Sequence, residues 1–329
     1  ISARKKHQKR NKMKIIGTGS ALPHLVVTND DLSKFLDTND EWIRTRTGIQ
    51  SRNILSTETI TELAIKACLD CIKNAKIDVQ DIDYILCHSV ISDAIIPALS
   101  TFIHDAIGTD CPTLDLNGAC TGFIYALDIA DSLIKAQKAK NVLIVCAEEP
   151  SKFVDWTKRE TCVLFGDGAG AVIVSEGSFD SKIHLKTQHT DALYCGANYG
   201  NSPFDKQEMK DPFLYMKGRD VFKLAVQSSK KDIDYVLEKA GMTYDDVNYF
   251  LLHQANMRII DFIKEQFGLS CEKFPHNIEY TGNTSSASIP LLLDEMNKNE
   301  QLKDGDVLVF SAFGAGFTSG ACLIKWGKN

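Results

Sequence analysis

The sequence has no apolar run long enough to cross a bilayer. Its longest, such as VLIVCA at 142–147, are strand-sized, well short of the about 18 residues a spanning helix needs. It has no disulfide framework either: the ten cysteines are scattered without regular spacing, and Cys87, Cys146 and Cys322 lie inside apolar runs. They read as reduced thiols in a reducing compartment. A zinc motif is missing, because the CxxC of Cys68 and Cys71 falls mid-pattern in the helical stretch LAIKACLDCIKNA and has no second cysteine pair, so no metal is expected. A basic stripe is also missing. Residues 1–14 carry seven Lys/Arg and no acid, but the remainder has 30 Lys/Arg against 43 Asp/Glu, a formal charge of −13 against −6 for the whole chain. That acidic body argues against a nucleic-acid surface, which needs clustered cations.

What is present is a chain of 329 residues, 44% apolar, enough for a large core in two domains or one doubled one. Strand-like sequence begins at MKIIGTGSALP with Met13. Residues 1–12 are therefore expected to be a disordered basic leader, either an artificial remnant or the end of an organelle transit peptide. The body is internally repeated. AKIDVQDIDYILCH at 75–88 returns as AGMTYDDVNYFLLH at 240–253, and NVLIV from Asn141 returns as DVLVF from Asp306, both at an offset of 165 residues. Two matches at one offset indicate duplication, with halves at 13–176 and 177–329. Each half is expected to end in a glycine-rich hairpin, FGDGAGAVIV at 165–174 and FGAGFTSGACLI at 313–324. Helical patterns at 59–75, 122–138, 220–240 and 256–267 alternate with short strands, which predicts an α/β fold with crossover helices. VLIVCA and VLVFSAF are apolar at nearly every position and should be buried on both faces. No linker separates the halves, and the loop-rich stretch 177–217 is expected to cover a site or simply connect them.

Three loci carry chemistry. DLNGACTGF, 115–123, places Cys120 where an apolar strand gives way to a small-residue turn before another apolar segment. At a helix N-terminus a thiolate is favoured by the macrodipole and by unpaired N–H groups, and Gly118, Ala119 and Gly122 would let a substrate approach closely. A buried filler cysteine is the competing reading. His253 ends the strand YFLLH at the carboxyl edge where α/β folds place ligands. Its repeat mate is His88, and a shared histidine also suits a structural bond to backbone; the QAN after His253 favours His253. Asn283 lies in YTGNTSSASIP, small residues that otherwise make turns and caps. The order Cys, His, Asn also occurs in papain-like proteases, but their local cysteine context is absent and a 165-residue repeat has no place in that fold.

These segments, with DEWIRTRTGI (40–49), FGDGAGA (165–171), MKGRDVFKLAV (216–226) and AFGAGFTSG (312–320) in order, resemble the β-ketoacyl-acyl carrier protein synthase III family. The resemblance covers the chain from Met13. It implies a thiolase-like α/β fold: two duplicated β/α halves with central mixed sheets in a layered αβαβα sandwich. It also implies an initiating condensing enzyme that joins a short acyl-CoA to malonyl-acyl carrier protein with loss of CO₂. No resident cofactor is implied, coenzyme A entering as a thioester substrate. Cys120, His253 and Asn283 would be catalytic, with backbone donors of Cys120 and Ala315 forming the oxyanion hole. Trp42, Arg46, Thr47 and Arg159 would clamp the nucleotide, and Gly218, Phe222 and Asn256 would line the pantetheine tunnel. Lys223, Arg258 and Lys264 would receive an acidic carrier protein. The family is homodimeric, with Ile96 closing the partner's acyl pocket. Because the family often has phenylalanine there, Ile96 is expected to admit longer or branched primers. The location implied is bacterial cytoplasm, or plastid stroma if the leader is a transit peptide, with no membrane partner. A specialised-metabolism condensing enzyme, a cysteine hydrolase or thioesterase, and a non-catalytic binder on the same scaffold remain the alternatives.

Overall fold

Two helices, Gly122–Lys135 and Ser288–Lys298, lie between two sheets and form the middle layer of the molecule. The computed structural model describes residues 12–197, 202–204, 206 and 211–327. Of the expected leader, only Lys12 is among them, and it opens the first strand, Lys12–Ala21; residues 1–11 lie outside the described residues. The first sheet runs Lys12–Ala21, Gly168–Gly177, Asn141–Glu148, Tyr84–His88, Thr113–Leu116. Its last three strands are parallel, whereas Gly168–Gly177 is antiparallel to both neighbours. The second sheet runs Tyr249–Leu252, Val307–Gly314, Thr318–Lys325, Lys182–Thr187, with one parallel pair and two antiparallel pairs. Both sheets are mixed, as expected.

The remaining long helices make the outer layers. Ile60–Ala75 and Leu99–Ile107 share a core with the first sheet, and Gly218–Ala240 and Met257–Phe267 share another with the second. A third core fills the middle, where Phe123 and Leu127 of one central helix meet Leu292 and Met296 of the other between Ile144 and Phe310 of the two sheets. The result is the five-layer αβαβα sandwich. The strands Asn141–Glu148 and Val307–Gly314 are buried at every position, because each lies inside its sheet with helices on both faces.

Helix Ile60–Ala75 settles the CxxC. A Thr59/Glu62 capping box starts it, and its buried stripe includes Ile60, Leu63, Ala64, Ala67, Cys68 and Cys71 at helical spacing. Both thiols face the core, and burial pushes both above the ordinary cysteine range. No helix among the described residues is long and apolar enough to cross a membrane.

The two glycine-rich segments differ from expectation. In the second half a tight turn joins Val307–Gly314 to Thr318–Lys325, a true hairpin. In the first half, Asn141–Glu148 and Gly168–Gly177 are paired but joined by the long excursion 149–167, which carries the short helix Arg159–Cys162. The chain leaves the sheet there to build one wall of the site. Buried Asp167 anchors the return, accepting the Leu55 N–H at 2.8 Å and the Ser151 N–H and hydroxyl at 3.0 and 2.7 Å.

Candidate active site

Cys120 sits in a single 3₁₀ turn, Ala119–Thr121, that leads directly into the helix Gly122–Lys135. Ala119 adopts a positive φ of 49°, the left-handed region that alanine rarely occupies. The turn abuts the second half so closely that a Cβ on Gly314 would be 2.7 Å from the Cys120 backbone N. The loop His253–Asn256 follows the strand Tyr249–Leu252, and Asn283 follows Gly282, whose φ is +64°. Cys120, His253 and Asn283 thus line one cavity of about 120 Å³, with Phe165, Phe222 and Phe313 among its apolar walls. The three loci, dispersed over more than 160 residues of sequence, come together where the halves meet.

Each polar group has a defined orientation. The Asn283 Oδ1 accepts the Ser285 N–H at 2.9 Å, which fixes the amide and leaves its Nδ2 hydrogens for the cavity. His253 is buried, its Nδ1 2.8 Å from the Ser288 hydroxyl, and that hydroxyl oxygen already accepts the Gln254 N–H at 3.3 Å. Ser288 can give its proton to Nδ1, and in that arrangement the imidazole carries its own proton on Nε2, a donor toward the cavity. Burial holds the imidazole down to about 3, so it is neutral at working pH. The unfolded chain has no such restraint, and as pH falls from about 6.5 toward 3 it takes up a proton the folded His253 refuses; stability is present above that window and lost within it. H253N is expected to lose less stability than the parent over that interval, read from urea midpoints at several pH values.

Cys120 differs from its sequence reading. Burial pushes its thiol up to about 12, with the Ser285 hydroxyl and the Cys120 backbone N–H pulling the other way. The short turn and helix N-terminus are outweighed by desolvation of the buried thiol. Gly122 is also required for a different reason than substrate approach: a Cβ there would meet the His88 ring at 1.9 Å. His88 is fully buried, and its Nε2 accepts the Gly118 N–H at 2.8 Å. G122A is expected to cost about 1–3 kcal/mol by overpacking and to distort the turn that carries Cys120; an unchanged melting temperature would contradict this.

The two repeat-related histidines are thereby separated: His253 faces the cavity, and His88 lies behind the turn that carries Cys120. The remaining candidate residues divide as follows. Trp42, half-buried on the helix Asp40–Thr47, has the Arg46 and Arg159 guanidinium groups 4.5 and 4.8 Å from its ring centroid, so these three form one cation–aromatic cluster. Thr47 does not join them. It is buried, donating to the Ile43 carbonyl and accepting the Ile49 N–H, which holds the helix end. Gly218, Phe222 and Asn256 line the cavity. Asn256 also caps the helix Met257–Phe267 and donates to the Arg46 carbonyl at 3.1 Å. Gly314 lines the cavity, with Ala315 next to it in the hairpin turn. Ile96 is 85% exposed and away from its own chain's cavity. Lys223 is exposed, Arg258 donates to the Thr45 carbonyl, and Lys264 pairs with Asp261. Leu193 and Met216, from the loop-rich stretch 177–217, line the cavity as well. Sequence reasoning missed Arg52, whose buried guanidinium ties the Val163 carbonyl to Asn29 beside the cavity wall, and Glu148, hidden in an otherwise apolar strand.

A duplicated five-layer α/β fold with a cysteine, a neutral histidine and an amide on one apolar cavity defines a condensing enzyme of the thiolase-like class. Comparison with known proteins narrows that class. The profile of 3-oxoacyl-[acyl-carrier-protein] synthase III matches residues 114–192 and that of its C-terminal part residues 237–326. β-Ketoacyl-[acyl-carrier-protein] synthase III of Clostridium acetobutylicum is 43% identical over 97% of this chain and 100% of the relative. The crystal structure of the Aquifex aeolicus synthase III superposes with a TM-score of 0.88 at 41% identity, covering 95% of this chain and 100% of that one. The priming β-ketosynthase of the R1128 polyketide pathway superposes at 0.91 with 31% identity, covering 97% of each chain. The chain belongs to the β-ketoacyl-acyl carrier protein synthase III family.

Proposed function

We propose that this protein condenses a short-chain acyl-CoA, acetyl-CoA first among them, with malonyl-acyl carrier protein to give a 3-oxoacyl-acyl carrier protein, CO₂ and free CoA. The observation that carries the reading is the convergence of Cys120, His253 and Asn283 from both halves on one apolar cavity. In the first step the Cys120 sulfur attacks the thioester carbonyl, the C–S bond to CoA breaks, and CoA leaves with the thiol's proton, leaving an acyl-cysteine. Backbone N–H groups at Cys120 and Ala315 are proposed to hold the oxyanion.

In the second step the malonyl thioester loses CO₂, and its C–C electron pair becomes an enolate. His253 and Asn283, both presenting N–H groups, stabilise that enolate oxygen without needing a charge. The enolate carbon then attacks the acyl-cysteine, and the C–S bond to Cys120 breaks. A neutral histidine suits this role: an imidazolium would be costly in the apolar pocket and would compete to protonate the carbanion.

The Trp42, Arg46 and Arg159 cluster fits an adenine ring and phosphates, and Gly218, Phe222 and Asn256 fit the pantetheine arm. Lys223, Arg258 and Lys264 are offered as the carrier-protein surface. The exposure of Ile95 and Ile96, 78% and 85%, supports a homodimer in which Ile96 closes the partner's acyl pocket. The same scaffold in a polyketide-priming enzyme favours, as a second reading, a different primer delivered to the same chemistry.

One experiment tests both: incubate the protein with mixed acyl-CoA thioesters and read the adduct on Cys120 by mass spectrometry, then add malonyl carrier protein. The reading expects a stable short acyl adduct that discharges with CO₂ release. A spontaneously hydrolysed adduct supports a thioesterase instead, and no adduct supports a binder.

A further inference from the structure

Behind the cavity, a buried polar cluster that the condensation mechanism does not use reaches the nucleophile. Ser285 opens the 3₁₀ turn Ser285–Ala287 that leads into the second central helix, and its hydroxyl lies 3.4 Å from the Cys120 Sγ. It lies 3.2 Å from Oε1 of Glu148, a carboxylate buried at the end of the strand Asn141–Glu148. We propose that Ser285 is a positioning residue for Cys120, its hydroxyl shared between the nucleophile's sulfur and the buried Glu148 carboxylate and turning to the sulfur when the sulfur is charged.

The geometry permits one donation at a time, because a serine hydroxyl has a single proton. Glu148 does not depend on that proton. Its Oε1 also accepts the Ser286 hydroxyl at 2.6 Å and lies 3.0 Å from the His88 Nδ1, and its Oε2 accepts the Val90 N–H at 3.1 Å. The carboxylate therefore stays satisfied when Ser285 turns away. His88 completes the cluster. Since its Nε2 accepts the Gly118 N–H, its proton is on Nδ1, facing Ser286 and Glu148. The cluster thus runs from the turn that carries Cys120, through His88 and Glu148, back to the sulfur.

Ser285 is held for this task by its backbone. Its φ is +52°, and the Asn283 side chain accepts its N–H, so one residue proposed for the enolate also orients the hydroxyl. No proton changes hands. With a thiol or a neutral acyl-cysteine, the hydroxyl serves Glu148; when condensation expels Cys120 as a thiolate, it rotates to the sulfur. The two partners then act on the thiol in opposite senses, the hydroxyl favouring the thiolate and the nearby carboxylate opposing it. The titratable side chains around this cluster are Glu148, which acts on the Cys120 thiol, His253 on the same cavity, His88 beneath the Cys120 turn, and Cys146, whose thiol meets Ser286. Of these, His253 is held neutral and burial lifts the Cys146 thiol above its ordinary range.

This inference rests on Cys120 being the acyl nucleophile, but its test does not. The rate of Cys120 alkylation by iodoacetamide, mapped by peptide mass spectrometry between pH 7 and 10, needs no substrate. S285G removes the hydroxyl at a backbone conformation that glycine accepts freely, and E148Q removes the charge with little change of shape. S285G is expected to slow alkylation about tenfold at fixed pH, a displacement of about one pH unit upward, and E148Q to accelerate it and displace the profile downward. Packing damage would move both variants the same way, so shifts of like sign, or an unmoved S285G profile, overturn the proposal. Should E148Q not accumulate folded, S285G alone decides by the same criterion. A normal alkylation profile in a parent protein that never loads acyl-CoA would overturn the proposed function and leave this inference standing.

Discussion

Replacing Cys120 by alanine is expected to abolish acyl loading, with no adduct by intact-protein mass spectrometry and condensation reduced to background. The change removes one sulfur atom that borders an existing cavity, so the packing loss is small. No buried donor is orphaned by it, because the Ser285 hydroxyl retains Glu148 as a partner. C120A should therefore fold as the parent does, and a parent-like melting temperature is the control that gives the loss its meaning. The loss should be complete because no other thiol can substitute. Cys87 and Cys146 are fully buried in the first sheet, with thiols raised by desolvation. The exposed Cys195 and Cys271 do not line the cavity. The groups proposed to hold the enolate survive in C120A, so slow CO₂ release from malonyl carrier protein without product is expected to persist. An adduct on C120A would mean that acyl transfer uses another residue.

The second large effect separates the two half-reactions. H253A and N283A are each expected to load the acyl group at close to the parent rate and to lose about 10² to 10³ in condensation, the usual consequence of removing one donor from a developing oxyanion. If both donate to the same enolate oxygen, the double variant should lose less than the product of the two single losses. Condensation in the parent should be insensitive to His253 protonation from pH 5 to 8, because burial holds that imidazole neutral well below this range. Radiolabelled CO₂ release and adduct lifetime check both halves of the prediction. Impaired loading in H253A would instead make the histidine a base for Cys120, a role its Nε2–H tautomer does not support.

Much of the architecture was legible because it repeats. The 165-residue offset paired strands of the two halves, and burial followed from apolar pattern, as with VLIVCA inside the first sheet and the Cys68 and Cys71 stripe facing the core. The three candidate residues were legible from their flanks: Cys120 and Asn283 lie among small residues, and His253 follows directly on an apolar strand. The excursion 149–167 was not legible, since the glycines at its return, Gly166, Gly168 and Gly170, match those of a hairpin and only the sheet pairing reveals that the chain leaves and returns. The place of Thr47 was not legible either: the resemblance groups it with Arg46, and only the folded chain shows its hydroxyl engaged at the helix end.

The sequence by itself determined the doubled α/β plan and singled out Cys120, His253 and Asn283 as the residues to bring together, because those features are written in local pattern and in a repeat distance. Tertiary structure alone decided which of two matched histidines faces the cavity, how desolvation outweighs the helix terminus at Cys120, and that a carboxylate within an apolar strand lies behind the sulfur. His88 to Ser286, Glu148 to Ser285 and Ser285 to Cys120 are contacts across 198, 137 and 165 residues. Such contacts depend on how the two halves pack, and local sequence carries no record of that distance.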